Sequence, residues 1–229
     1  MKNMQKIKVS HIDELTPLIG KKVFDKTGLT DEMLSVPVRV PESVEDQQNM
    51  VGFLNDAWEV AGKVKRRGDV EEDMTYLQPI PYTVLSQGDK YFTYTRLEGG
   101  GESRLHGKSS IGVGGHQNEV EQYWNFEHIM AVNNSRELEE EVLIKNEYGE
   151  EIQSHYELAK QSVILGLIYS QETEVDSVHL GVLNIIELPE EWTVEAKEKD
   201  TLEGSFKTKE EIEELDLENW TKAAISVLS

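Results

Sequence analysis

The run Arg136-Glu137-Leu138-Glu139-Glu140-Glu141-Val142 sets four carboxylates within five residues. On a helix turning by about 100° per residue, Glu140 lies about 60° to one side of Glu137 and Glu141 about 40° to the other. The three therefore share a face, and Glu139 points away from it. Carboxylates so placed repel one another unless solvent, an arginine or a divalent cation offsets the charge, and Arg136 is adjacent. Such an oxygen-rich cluster suits Mg²⁺ or Mn²⁺, ions that bind phosphate oxygens and activate water. In a chain with 29% charged residues the same run also describes a solvated helix surface.

The elements that must position these glutamates can be read from hydrophobic period and turn residues. A helix is predicted from about Phe126 to Ile144, with Ala131, Ser135, Leu138 and Val142 as a separate stripe for packing on a sheet. Upstream, Gly99 to Asn118 is a glycine-rich stretch suited to a linker, a phosphate-cradling loop or a strand that another group approaches. Before it, Ile80 to Leu85 and Lys90 to Thr95 flank Gln87-Gly88-Asp89 as a hairpin. After the helix, Ser162 to Tyr169 and Val178 to Ile186 read as buried strands. A short strand from Trp192, a capping box of Thr208 with Glu211, and a helix bearing Leu217, Trp220, Ala224 and Leu228 close the chain. Strands on both sides of one long helix predict an α/β or α+β layered domain.

The first segment, Met1 to Asp73, reads as mainly helical. It is broken near Pro37 and Pro41, and Met50, Leu54, Ala57, Trp58, Ala61 and Val64 form one apolar face through Lys65. That face reads as a packing helix or as a lid or dimerisation arm, which admits a homodimer. The expected organisation is thus a helical extension over 1–75 and a core domain over 76–229.

With 229 residues, 38% of them apolar, the chain can bury one large core carrying a smaller appendage. A formal charge of −21 argues against a surface that binds duplex nucleic acid through its phosphates. A small polyanion brought in by a metal ion is compatible with it. The absence of cysteine excludes thiol catalysis, thiolate metal sites and disulfides. No apolar run reaches signal-peptide length at the start or the roughly 18 residues of a membrane span later. The expectation is a cytoplasmic protein that does not engage a membrane.

Gly114-Gly115 followed by Arg136 to Glu141 resembles the Nudix hydrolase signature GX5EX7REUXEEXGU, where U is a bulky aliphatic residue. The REUXEE core is matched in full. Arg104 to Lys108 and Gly112 to Asn118 are similar to a divergent branch of predicted MutT-like phosphoesterases. The likeness runs from about Ile80 to Ser229. It departs from the pattern at Leu143, which replaces the box glycine, and at His128, which stands at the box's first glutamate. Gln117 to Asn125 reads as an insertion between loop and helix.

The resemblance implies an α/β/α sandwich with a mixed sheet, and a metal-dependent hydrolase that cleaves the diphosphate of a nucleoside diphosphate linked to another moiety. Glu137, Glu140, Glu141 and the Gly115 carbonyl would hold Mg²⁺ or Mn²⁺, and Arg136 would orient a carboxylate. Glu203, or Glu198, would supply a late-loop base, and Arg96, Arg104, Lys108 and His116 would meet the substrate. His116 equally reads as a structural hydrogen-bond donor. A Nudix-like nucleotide-binding regulator with little turnover is the alternative function. Isoprenyl diphosphate isomerase, which the family also contains, is disfavoured because its activity is associated with a cysteine.

Overall fold

The computed structural model describes residues 14–22, 38–39, 44–97, 105–120, 125–169, 174–198 and 201–228. Arg104, Trp124, Pro37, Pro41, Ser43 and the first glycines of the Gly99 to Asn118 stretch lie outside them.

Two long apolar strands form the centre. β4 (Tyr76–Gln87) and β10 (His179–Glu187) run parallel, in register from His179 opposite Gln78 to Glu187 opposite Ser86. Around them the sheet order is β12 (Leu202–Thr208), β5 (Lys90–Arg96), β4, β10, β9 (Val163–Ile168) and β2 (Val38–Arg39). The short strands β6 (Ser109–Ser110) and β7 (Gly112–Val113) pair with β5 and β4. One parallel pair among antiparallel ones makes the sheet mixed, as expected. The hairpin turn falls at Gly88, whose φ of 59° a side chain would strain.

Side chains alternate across these strands. Leu77, Leu85, Leu180, Val182 and Ile186 lie under α1 (Val44–Ala61), α2 (Phe126–Glu141) and α3 (His155–Ala159). Tyr82, Val84 and Leu183 face the opposite layer, α4 (Lys209–Glu213) and α5 (Asn219–Ile225). The result is the α/β/α sandwich, an α+β layered fold whose two helical layers bury a sheet that is apolar on both faces. The predicted capping box is present, with Thr208 and Glu211 each bonding the other's backbone N–H. Among the described residues no helix is long and apolar enough to cross a membrane.

The tyrosines are core residues rather than exposed stacking platforms. Tyr82 and Tyr94 are each 6% exposed and Tyr91 is 3%. The Tyr82 hydroxyl bonds Ser110 Oγ at 3.2 Å and Thr221 Oγ1 at 2.8 Å, joining β4 to β6 and α5, and burial pushes the phenol up to about 12. Tyr82→Phe is expected to lower stability by about 1 kcal/mol, seen as a reduced denaturant midpoint at unchanged slope.

Three sequence expectations are corrected by strand pairing and by packing. The long helix stops at Glu141 rather than Ile144, because Val142–Lys145 forms β8 against β11 (Thr193–Ala196). Val142 and Ile144 are buried there while Leu143 and Lys145 are half-buried, a period of two. The first described helix ends at Ala61, and Gly62–Arg66 is β3, paired with β1 (Leu15–Gly20). Where described, the N-terminal segment thus carries strands beside its helix, and β1 also pairs with β4 through Ile19 and Leu77. Finally, of the predicted stripe Leu138 and Val142 are buried while Ala131 and Ser135 are only half-buried, and α2 also packs through Phe126, Ile129, Met130 and Asn133.

Candidate functional site

The glutamate run reaches the glycine loop because α2 is fixed at both ends. Asn125 caps it, its side chain accepting the His128 N–H at 2.8 Å, and Glu127 lies in the positive first turn. Two buried amides then dock the helix. Asn133 accepts the Asn118 N–H at 2.7 Å and donates to the Asn118 carbonyl at 3.0 Å, and Asn134 accepts the Thr83 hydroxyl at 2.8 Å. One turn later Arg136 bridges helix and loop. Its Nη2 donates to the His116 carbonyl at 2.6 Å and to Glu137 Oε1 at 2.5 Å, and its Nη1 donates to Glu140 Oε2 at 2.9 Å. Residues 20 positions apart are thus brought into contact, and the long gap between glycines and helix does not separate them.

The shared carboxylate face is divided by burial. Glu137 is 6% exposed, and its pKa is raised by that burial, offset by Arg136. Glu141 is pushed up to about 8, first by burial and then by Glu137, against the lowering effect of Arg96 and a hydrogen bond from the Gly114 N–H. Glu140 sits on the rim with its side chain 57% exposed, and Glu139 is exposed. A side chain at Gly115 would bring its Cβ to 2.8 Å from both oxygens of Glu137. Only glycine lets this buried carboxylate lie against the loop backbone. Two desolvated carboxylates, the charge of Glu137 raising the pKa of Glu141, beside a bare carbonyl-bearing loop form an acidic pocket of the kind a divalent cation offsets.

The other predicted residues are distributed around this centre. Arg96 pairs with Glu218 at 2.7 Å and acts electrostatically on Glu141, so it borders the acidic pocket. Lys108 is half-buried, and its carbonyl accepts the Arg96 N–H at 3.0 Å. Glu203 is an exposed residue of edge strand β12, opposite Thr95. Of the two late-loop acids it is Glu198 that exerts a charge effect on Glu141. Arg104 lies outside the described residues. His128 is in the first turn of α2, where Nδ1 meets the Tyr156 hydroxyl at 3.2 Å, far along the helix from Glu140. A cavity of about 560 Å³ opens at that end of α2, and none of Glu137, Glu140 and Glu141 lines it.

His116 turns its ring away from the glutamates and toward His179, Nε2 to Nε2 at 2.8 Å, with Glu71 Oε1 4.0 Å off. Neither Glu71 nor His179 stood out in the sequence. The signal for His179 was a polar residue opening an otherwise apolar strand; for Glu71 there was only one acid among many. Glu14, whose charge raises the pKa of Glu137, was equally unmarked.

No family model matches the chain. It is 37% identical over 215 residues to protein YmaB of Bacillus subtilis (strain 168), covering 88% of this chain and 99% of that protein. Among solved structures it superposes on Tm1382, described as a candidate Nudix hydrolase, with a TM-score of 0.68 and 27% identity over 94% of this chain and 98% of that one. The chain belongs to the Nudix hydrolase superfamily.

A weaker likeness is to the bifunctional NMN adenylyltransferase/ADP ribose pyrophosphatase of Francisella tularensis, complexed with AMP and a manganese ion. Its TM-score of 0.46 at 14% identity, covering 80% of this chain and 46% of that one, is too low to carry an argument.

Membership in the Nudix hydrolases places the chain among hydrolases. The Nudix box of this chain departs at its end: with Leu143 in place of glycine, α2 passes straight into β8. Arg136 is the residue on which the box geometry converges, since one guanidinium serves a loop carbonyl and two carboxylates. A lysine offers one ammonium and cannot span the three. Arg136→Lys is expected to weaken divalent-ion affinity by about 10–100-fold, measured by calorimetry, with little change in unfolding temperature.

Proposed function

We propose that this protein is a metal-dependent hydrolase that cleaves the diphosphate of a nucleoside diphosphate linked to another moiety: a nucleotide, a sugar nucleotide or an ADP-ribose-like compound. The observation that carries the reading is the Glu137 carboxylate seated against Gly115, with Glu141 beside it and Arg136 tying Glu137 and Glu140 to the loop. Superfamily membership supports it. Glu137, Glu140, Glu141 and the Gly115 carbonyl would hold Mg²⁺ or Mn²⁺, a hard-oxygen set suited to those ions. A divalent ion held by these residues would supply Lewis acidity toward phosphate oxygens and toward a water.

The chain's own groups do the rest. Arg136 fixes the carboxylate geometry by charge-assisted hydrogen bonds. Arg96, and Lys108 with Arg104 as further candidates, would offset phosphate charge beside the acids. The His116 ring faces His179, so its part in substrate binding would run through its backbone in the box loop. Glu198 is the better placed of the two late-loop acids to take a proton, with Glu203 second. Residues 76–229 form the hydrolase domain in this reading. Residues 1–75 form an extension whose β1, paired with β3, joins the start of β4 and whose β2 lies on β9 at the sheet edge. We place the protein in the cytoplasm, acting on a small molecule without a membrane or duplex partner, with a homodimer admitted.

The test is release of a phosphorylated product from a panel of nucleotides, sugar nucleotides, dinucleoside polyphosphates and ADP-ribose with Mg²⁺ or Mn²⁺. Turnover of none with either ion overturns the reading. Tight nucleotide binding without product would favour the regulatory alternative, for which the missing box glycine is the supporting observation.

A further inference from the structure

A second group of ligating atoms lies outside the glutamate face. Glu71, His116 and His179 each present one ligand atom, and these atoms all lie within 4.8 Å of one another. They come from three distant places: the turn after the 3-10 segment Arg67–Asp69, the loop after β7, and the first residue of β10.

The orientation of His179 is fixed by a carbonyl. Its Nδ1 stands 2.6 Å from the Val175 carbonyl, which only accepts, so Nδ1 carries the hydrogen and the neutral ring turns the Nε2 lone pair inward. A backbone acceptor on the far nitrogen is the usual outer support of a metal-binding histidine. Glu71 is positioned by Arg67, whose Nε donates to Oε1 at 2.8 Å and leaves Oε2 for a further ligand. The inward Nε2 meets His116 Nε2 at 2.8 Å, and Glu71 Oε1 stands 4.0 Å from the same His116 nitrogen, beyond hydrogen-bond reach.

A hydrogen bond between the two rings leaves this carboxylate without a share in it. A common cation serves all three. Tetrahedral ligand atoms at bonds of about 2.0–2.1 Å stand about 3.3 Å apart, so small side-chain adjustments close the set. An independent observation points to the same spot. Gln78 is 1% exposed, its Nε2 lies 3.3 Å from His179 Nε2, and its Oε1 has no hydrogen-bond partner. A buried amide oxygen without a partner is rare and suits a water carried by a metal.

We propose that Glu71, His116 and His179 form a transition-metal site of the Zn²⁺ class, separate from the Nudix box and different in donor chemistry. Two imidazoles and one carboxylate are a borderline donor set that selects Zn²⁺ and its neighbours over Mg²⁺. Three protein ligands would leave a fourth tetrahedral position for a water. The site also braces the box, because His116 follows Gly115 and its carbonyl is the one Arg136 grips. A metal on the His116 ring would tie the box loop to β10 and to the Glu71 turn.

The test is titration of metal-depleted full-length protein with Co²⁺, read by visible d–d absorption and by displacement with Zn²⁺. One equivalent is expected to give an intense band of low-coordinate type. The band should persist in a Glu140→Gln/Glu141→Gln double variant, which disables the box but not this site. His116→Ala and Glu71→Gln alter partly exposed side chains, and circular dichroism and a thermal melt verify their folding. Each is expected to weaken Co²⁺ binding at least about 10-fold. No band in the wild type, loss of the band in the box double variant, or a smaller effect in either single variant overturns the three-ligand site. None of these outcomes depends on whether the protein hydrolyses a nucleotide.

Discussion

Replacing Glu141 with glutamine is expected to lower turnover of any accepted diphosphate substrate by a factor of about 100 to 10,000, without unfolding the protein. The position of Glu141 is the reason. It is the last residue of α2, packed beside Glu137 and bonded by the Gly114 N–H, so its carboxylate faces the loop rather than solvent. In the absence of a cation this placement is unfavourable to the charged form, and the pKa rises from 4.5 to about 8. A carboxyl whose folded pKa is raised favours the folded state at low pH. That contribution is fully present below about 4.5 and is lost as the pH rises through about 8. Glutamine keeps the shape and removes the titrating charge, so the metal-free variant should be at least as stable as wild type near pH 8. Added Mg²⁺ or Mn²⁺ should raise the melting temperature of wild type more than that of the variant. An inactive variant with an unchanged or higher melting temperature separates a lost catalytic group from a lost fold. Wild-type turnover in the variant would remove Glu141 from the proposed mechanism.

The second large effect is expected at Gly115. A methyl group there would stand 2.8 Å from both oxygens of Glu137, closer than real Cβ contacts come. Elsewhere a glutamate would swing aside. Glu137 is buried and held by Arg136, so loop or helix must move instead. Gly115→Ala is therefore expected to cost about 1–3 kcal/mol of stability, as overpacked sites do. Divalent-ion affinity and turnover should fall by about 100-fold or more, in line with losses from misplaced catalytic groups. Gly52→Ala is the matched control. Gly52 is exposed in α1 with nothing within 4 Å of an added Cβ, so alanine should stabilise the helix by about 0.5–1 kcal/mol and leave turnover unchanged. Calorimetric melts and ion titrations on the two variants distinguish crowding at the box from a general glycine effect.

Much of the site was legible because its pieces are local. The spacing Arg136, Glu137, Glu140 and Glu141 puts the guanidinium next to carboxylates one residue and one turn away, whatever the rest of the chain does. Gly88 marks its hairpin and Thr208 with Glu211 its cap for the same reason: bonds and steric limits within about four residues determine them. Glu137 and Glu141 could not be told from Glu140 on sequence grounds, because which of three neighbouring acids is desolvated depends on what packs above the helix.

The misreadings fall where a local pattern has two solutions. Val142-Leu143-Ile144-Lys145 continues a helix as plausibly as it forms a strand, and only the backbone of Thr193–Ala196 makes it β8. Val64 fits the apolar face of α1, yet pairing with Pro17 puts it in β3. His116 was visible as a histidine beside a glycine turn, but its neighbours are 63 and about 45 positions away in the chain. The parallel register of β10 on β4 brings His179 beside Gln78, and the turn leading into β4 carries Glu71 to the same edge. Residue types and short-range spacing thus specified an acidic helix, its arginine and the glycines able to receive it. The division of that acid face into buried and rim carboxylates, and the assembly of a second ligand set, came from strand pairing over long separations, which backbone hydrogen bonding permits but local sequence does not encode.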